Sequence, residues 1–257
     1  LSGRAGGVCG RALCFGRLGP RARARCARLP GRARPARRPL AGRGAAGGRG
    51  GGGSAGGAGP PAADLVCPLL SLPFALGLEY DVIPSGTPYL DVPDAARRRF
   101  RGSLGGQAKR KFGIAWSGSA PVQDNRALPL DALAPLFALA GIDWIVLQPT
   151  LSDSERAALD AHPDAARIHR LDGLTDFAAT AALVDRLDGV VAIDTAVAHL
   201  AGALGKPLWL MLPVAADWRW STGDDSAWYP RARLVRQSEP GRWDDVVATV
   251  AGEIAHG

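Results

Sequence analysis

The sequence predicts an α/β fold, a parallel sheet covered by helices on both faces. Two observations carry that expectation. Short apolar runs alternate with helix-length segments through the second half of the chain, which is the pattern of successive βαβ units. One stretch, Val190 to Leu212, spells out such a unit in full. A third observation bounds the folded part: no Asp or Glu precedes Asp64, and residues 1–60 hold 13 Arg and 18 Gly.

That leading segment, residues 1–63, has no apolar period, and residues 50–59 are close to a pure glycine linker. It has too little apolar surface to offset the entropy of ordering it, so it is expected to be disordered. Three readings of it stand: a basic arm for RNA or an acidic surface, an acid-free transit peptide, or a stretch read from the wrong frame of a GC-rich gene. The last two are preferred. A start at Leu1 rather than Met makes the chain a fragment by expectation.

The formal charge of +7 belongs wholly to this segment, because the remainder carries 18 basic residues against 24 acidic ones. Nucleic acid is therefore not expected as a partner of the part that folds. Three of the four cysteines (Cys9, Cys14 and Cys26) lie in the leading segment, and Cys67 stands alone. No Cys-x-x-Cys pair occurs, so neither a metal site nor a disulfide framework is expected. No apolar run approaches the roughly 20 residues of a transmembrane helix. The default expectation is a soluble protein of a reducing compartment, the cytoplasm.

From Asp64 the chain reads as globular. Residues 67–77 are apolar and broken by prolines, which suits a strand end and a short edge helix. Residues 80–94 carry Pro84, Pro88 and Pro93 and read as an extended connector. Residues 95–101 suit a short helix, and Lys109-Arg110-Lys111 a solvated lead-in to a strand. Then come a strand at 112–116, a helix at 130–140 and a strand at 144–148. A helix at 152–161 has Ser152 as cap and Glu155 three residues later, a capping box. A short strand at 167–171 and a helix at 176–187, capped by Thr175 or Asp176, follow. A last helix spans 243–255. Residues 64–107 thus read as connector and remnant of a preceding domain, and 108–257 as one α/β domain.

The central unit explains itself residue by residue. Val190 to Ile193 is apolar and β-branched, as in a strand buried on both faces. Asp194 and Thr195 are N-cap types placed where that run ends. A helix from Ala196 to about Leu204 is mostly Ala and Leu; Gly205 is its expected left-handed stop, and Pro207 prevents re-entry. Leu208 to Leu212 resumes as a strand, so the crossover is right-handed.

Such a helix starts at the carboxyl end of a parallel strand, where free N–H groups and the helix dipole favour an anion. Ala196 leaves room for a diphosphate to approach. Thr195 and His199, four apart, share a helical face. Thr195 can donate its hydroxyl, and His199 can donate to a phosphate oxygen or a sugar hydroxyl. The plainer reading, that Asp194 and Thr195 only cap and His199 is a satisfied core residue, stays open. The same sheet edge receives Ser117-Gly118-Ser119, Gln123 to Arg126, and Gln148. Ser117 and Gly118 offer a hydroxyl and an unhindered N–H, and Arg126 a bidentate fork suited to a diphosphate. Trp218, Arg219 and Trp228 either wall a pocket for a base or sugar ring or simply cover the sheet end.

These residues also resemble a known family. Residues 194–207 are similar to the carboxyl-terminal signature of the heptosyltransferases, glycosyltransferase family nine, in the bacterial branch associated with tetratricopeptide repeats. Residues 113–118, Leu147-Gln148, Asp176-Phe177, residues 217–220 and Trp228-Tyr229-Pro230 match that branch in order and spacing, and residues 67–73 match the stretch before it. The resemblance implies the Rossmann-like carboxyl-terminal domain of a GT-B fold. It implies a nucleotide diphosphate sugar as donor, transfer to a hydroxyl of a glycan, lipid or protein, and no metal or other cofactor. It assigns donor sugar hydroxyls to Asp194, the diphosphate to Thr195 and Ala196, and a place beside donor sugar or phosphate to His199. Ser117 would contact phosphate from the opposite loop. This chain has Ala179 where the family usually has an acidic residue, and Gly118-Ser119 for a Gly-Asn pair. The family's acceptor domain and general base lie upstream, and no catalytic base is named here. A non-catalytic nucleotide-sugar-binding fragment and a sugar-nucleotide epimerase of the same fold are the alternatives.

Overall fold

The fold is seen in a computed structural model, which describes residues 38–39, 76–79, 83, 86, 88–102, 104, 109–118, 128–172, 174 and 176–256. Most of the expected disordered segment, residues 67–75, much of the connector, Ser119, residues 123–126 and Thr175 lie outside the described residues.

Six strands form one parallel sheet: β3 (Arg110–Ala115), β4 (Ile142–Val146), β5 (Ile168–Arg170), β6 (Gly189–Ile193), β7 (Leu208–Leu212) and β8 (Ala232–Arg236). Their order across the sheet is β5-β4-β3-β6-β7-β8, and every pair is parallel. Two residues of the leading segment, β1 (Arg38–Pro39), pair in parallel with β2 (Leu90–Asp91). Proline tolerates such an edge position because its fixed φ is already extended.

Alternation along the strands splits the core into two layers. Ala115, Val190, Ala192, Leu208, Leu210 and Leu212 face a layer closed by α4 (Phe177–Val184) and α5 (Ala196–Ala203). Phe112, Ile114, Val191, Ile193 and Met211 face the other, closed by α2 (Ala134–Phe137), α3 (Asp153–Asp160) and α6 (Asp244–His256). The short helix α1 (Asp94–Arg99) is tied to the first layer by Arg97, whose Nε lies 3.1 Å from Asp185 Oδ2. Among the described residues no helix is long and apolar enough to cross a membrane.

The α/β architecture therefore stands as expected, with local corrections. The helix expected at 130–140 is a 3-10 turn over Leu130–Leu133 running into a single α-turn. Pro135 has no N–H to give to Asp131, so the α-ladder cannot start earlier. The helix expected to reach Leu187 ends at Val184, where Arg186 and Leu187 donate to Leu183 and Val184 and tighten the last turn. Of the basic flank Lys109-Arg110-Lys111, only Lys109 is solvated as expected. Lys111 is 7% exposed and its N–H donates to Asp188 Oδ2 at 2.7 Å. Arg110 lies over the Phe112 ring and donates to the Ile254 carbonyl. β8 was not anticipated. It is an edge strand, Ala-Arg-Leu-Val-Arg, whose two arginines break the apolar run that marks the central strands.

The capping box on α3 is present in both halves, and Glu155 also accepts the Trp116 indole N–H at 3.0 Å. Burial alone pushes the Glu155 carboxyl up, but the Ser152 N–H and hydroxyl and the Trp116 indole outweigh it and hold the carboxyl below its ordinary 4.5. A lowered carboxyl stabilises the fold above that range and loses the contribution as pH falls through it. Glu155→Gln should cost about 0.5–1 kcal/mol at neutral pH. The gap from wild type should close on acidification below pH 4.5, read by urea unfolding at each pH.

Gly202, in the last turn of α5, has a steric reason to be glycine. A Cβ there would stand 2.4 to 2.7 Å from three ring atoms of Tyr229. Gly202→Ala should cost about 1–3 kcal/mol by overpacking, seen as a lowered thermal midpoint.

Candidate functional site

The strand order reverses at β3. From there the chain proceeds outward through β4 and β5, then returns to lay β6 on the other side of β3. The helices that follow β3 and β6 sit on opposite faces of the sheet. The two loops leaving these strands at their carboxyl ends therefore part company, and ligands of doubly wound sheets collect in the crevice between them.

On one side of this crevice is the loop after β3. Gln148, which follows β4, holds it. Its Oε1 accepts the N–H groups of Trp116 at 2.8 Å and Ser117 at 2.9 Å, and its Nε2 donates to Ser117 Oγ at 2.9 Å. Gln148 is 8% exposed. It faces the neighbouring loop and sets the direction of Ser117, whose hydroxyl retains its own proton to donate. Gly118 is exposed.

The other side is the start of α5. Thr195 occupies the N-cap with extended backbone, φ −141 and ψ 168, yet its side chain makes no cap hydrogen bond. Its Oγ1 donates instead to the Ile193 carbonyl at 3.2 Å. Asp176 and Ser152, by contrast, cap α4 and α3 with side-chain oxygens. The cap residue thus leaves the first-turn N–H groups of α5 without its side chain as acceptor, at the positive end of the helix dipole. Ala196 is exposed and Thr195 half-buried, so the junction is open. The loops nearly touch: a Cβ on Gly118 would lie 3.7 Å from Thr195 Cγ2.

His199, one turn into α5, is held from several directions. Its Nδ1 is 2.9 Å from Tyr229 Oη, and its Nε2 is 3.5 Å from Asp194 Oδ1. The Asp194 side chain is only 6% exposed, against 35% for His199. Trp220 stacks on the imidazole, centroids 5.2 Å apart and planes 21° apart. Behind Tyr229 is Tyr89, the residue before β2, whose hydroxyl neighbours that of Tyr229. Burial first, and then this neighbouring tyrosine, push the Tyr229 hydroxyl far above its ordinary range. Burial pushes Tyr89 up as well.

Trp218, Arg219 and Trp228 form an adjoining cluster after β7. Trp228 Nε1 donates to the Arg219 carbonyl at 3.0 Å, the two indoles meet edge to face, and the Arg219 guanidinium lies over Trp218 and near Asp217. Trp218 is 53% exposed while Trp220 is fully buried, because a 3-10 turn over Trp218–Trp220 throws alternate rings to opposite sides. Ser221 closes that turn at φ 52 and ψ −155, a region a non-glycine residue seldom enters. Arg236 holds it by donating to the Ser221 carbonyl at 2.7 Å.

Of the residues singled out from sequence, Ser117, Gly118, Gln148, Asp194, Thr195, Ala196 and His199 meet at the β3, β4 and β6 ends. Trp218, Arg219 and Trp228 join them through Trp220 and Tyr229, which contact His199. Arg126 lies outside the described residues. Sequence reasoning missed Tyr229, Trp220 and Tyr89 as partners of His199. The first two sit inside the aromatic motifs already noted, whereas Tyr89 falls in the proline-rich connector, where nothing marks it.

No curated protein matches the sequence. Among solved structures, the glycosyl transferase family 9 protein from Veillonella parvula superposes with TM-score 0.48 at 12% identity, covering 66% of this chain and 47% of that one. The E. coli ADP-heptose lps heptosyltransferase II gives 0.43 at 16%, covering 64% and 54%. The E. coli heptosyltransferase WaaC with ADP gives 0.46 at 19%, covering 72% and 53%. The chain thus spans about half the length of these structures. The family model of glycosyltransferase family 9 (heptosyltransferase) matches residues 131–210, a span that includes Gln148, Asp194, Thr195, Ala196 and His199.

Proposed function

We propose that this chain is the donor-binding half of a glycosyltransferase, which takes a nucleotide diphosphate sugar and supports transfer of its sugar to a hydroxyl acceptor. Residues 108–257 are the donor-binding domain in this reading, and residues 64–107 the end of the domain before it. The family match over residues 131–210 supports the reaction class. The observation that carries the site is the start of α5, open at the strand-order reversal and lacking a side-chain cap, with Gly118 against Thr195.

The diphosphate accepts from the Thr195 and Ala196 N–H groups, and Ser117 donates its hydroxyl from the opposite loop. As the glycosidic bond breaks, negative charge grows on the leaving diphosphate. Fixed N–H dipoles at the helix start stabilise that charge without reorganising. They supply the positive potential a metal would otherwise provide, so binding is metal-independent in this reading. Asp194 takes donor sugar hydroxyls, and Trp218, Arg219 and Trp228 wall the base or ring side. The tetratricopeptide-associated branch and the cytoplasm are the setting we propose.

Calorimetric titration with ADP, UDP and GDP, with and without EDTA, tests this reading. One of them should bind, equally well with chelator. Thr195→Glu sets a carboxylate against the diphosphate and should weaken binding roughly tenfold or more. No binding by any of the three, or a Thr195→Glu variant that binds like wild type, overturns the assignment.

Gln148→Ala should cost about 1–3 kcal/mol in stability, because the buried Trp116 N–H loses its acceptor. It should also weaken the same nucleotide's binding, since Ser117 is no longer aimed; titration of the folded variant checks this.

A further inference from the structure

The structure assigns Tyr229 as a positioning residue that fixes His199 in its Nε2–H tautomer and so presents an N–H donor at the β6–α5 junction. This rests on the donor-site reading for the identity of the ligand, but not for the tautomer.

The argument begins with Asp194. An unprotonated Nε2 would point its lone pair at the Asp194 carboxylate 3.5 Å away. A proton on Nε2 turns that repulsion into attraction. A neutral ring then has Nδ1 as acceptor, and the group at Nδ1 is the Tyr229 hydroxyl, at 2.9 Å. Tyr229 must therefore donate, and it can, because burial keeps its proton in place. Tyr89 lies beside Tyr229, and with the Tyr229 proton directed at Nδ1 the Tyr89 hydroxyl is the neighbour able to donate to the Tyr229 oxygen. The order is Tyr229 to His199 to Asp194.

The last step is long for a hydrogen bond. The Nε2 proton is consequently only weakly engaged by Asp194, and a ligand oxygen beside the pair can share it. Ring rotation is blocked: Trp220 stacks on one side of the imidazole, and the Tyr229 ring lies at 61° to it. Gly202 is what allows the Tyr229 ring to come this close to α5. The charged groups around Tyr229 are Asp194 and Arg219, and Tyr89 is its other titratable neighbour.

A phenylalanine at position 229 keeps the ring and deletes only the donor. The test compares wild type, Tyr229→Phe and Tyr89→Phe by long-range proton–nitrogen correlation of the imidazole nitrogens, with His199→Ala for assignment. In wild type His199 should show a protonated Nε2 and an unprotonated Nδ1. In Tyr229→Phe the ring should shift toward the Nδ1–H form or a mixture, with a thermal midpoint within a few degrees of wild type. Tyr89→Phe should give a smaller shift in the same direction. Binding of the nucleoside diphosphate found by titration, tested as its sugar conjugate, should fall about fivefold to tenfold in Tyr229→Phe.

An unchanged tautomer in Tyr229→Phe overturns the inference, whatever the nucleotide does. A shifted tautomer with undiminished binding overturns the positioning role. A shifted tautomer in a chain that binds no nucleotide at all upholds the assignment of Tyr229 to His199 and sinks the donor-site reading instead.

Discussion

The constraint on which the rest depends is the reversal of strand order beside β3. A sheet of six parallel strands must return each connection across one face or the other, and the reversal obliges neighbouring strands to send their loops apart. Everything placed at the carboxyl ends of β3 and β6 inherits an opening that side chains do not have to create. Burial on both faces fixes the register of these strands, because a one-residue slip would exchange the two layers of the core.

What the loops add is orientation. Gln148 uses a single amide to satisfy two backbone donors and one hydroxyl, so the chain after β3 has one direction in which to leave the sheet. Across the crevice, α5 is buried nearly all round, with Ala196 and His199 among the few residues that reach solvent or polar partners. A helix so placed cannot pivot, and its first-turn amides are held where the sheet puts them. The aromatic turn that follows β7 adds a second rigid body: the strained backbone at Ser221 and the Arg236 contact keep Trp220 against His199.

Much of this was legible in the sequence. Periodicity gave the βαβ units because strands buried on both faces leave long apolar runs, and Ser152 with Glu155 announced its capping box by spacing alone. The helix stop at Gly205 followed from chemistry, and its φ of +71 agrees. Thr195 was harder. It has the residue type of a cap and sits at the cap position, but the hydroxyl turned to the Ile193 carbonyl, and nothing in a single sequence distinguishes those two hydrogen bonds. Gln148 was picked out as polar at a strand end, while its role as a clamp depended on which strand lies next to β4. Trp220 and Tyr229, the partners of His199 from across the fold, lie 21 and 30 positions downstream in the chain; such non-local contacts leave no periodic trace. Lys111 misled because a lysine beside two other basic residues usually marks solvent, and only the Asp188 side of the fold explains its burial.

The margins of the sheet have a consequence of their own. β8 carries Arg233 and Arg236, with Arg233 paired to Glu253 and Asp224, while the opposite margin, β5, has only three residues and ends in Arg170. Charged, short borders resist the docking of a further strand from another molecule. Lateral fusion of sheets is thereby discouraged at both ends.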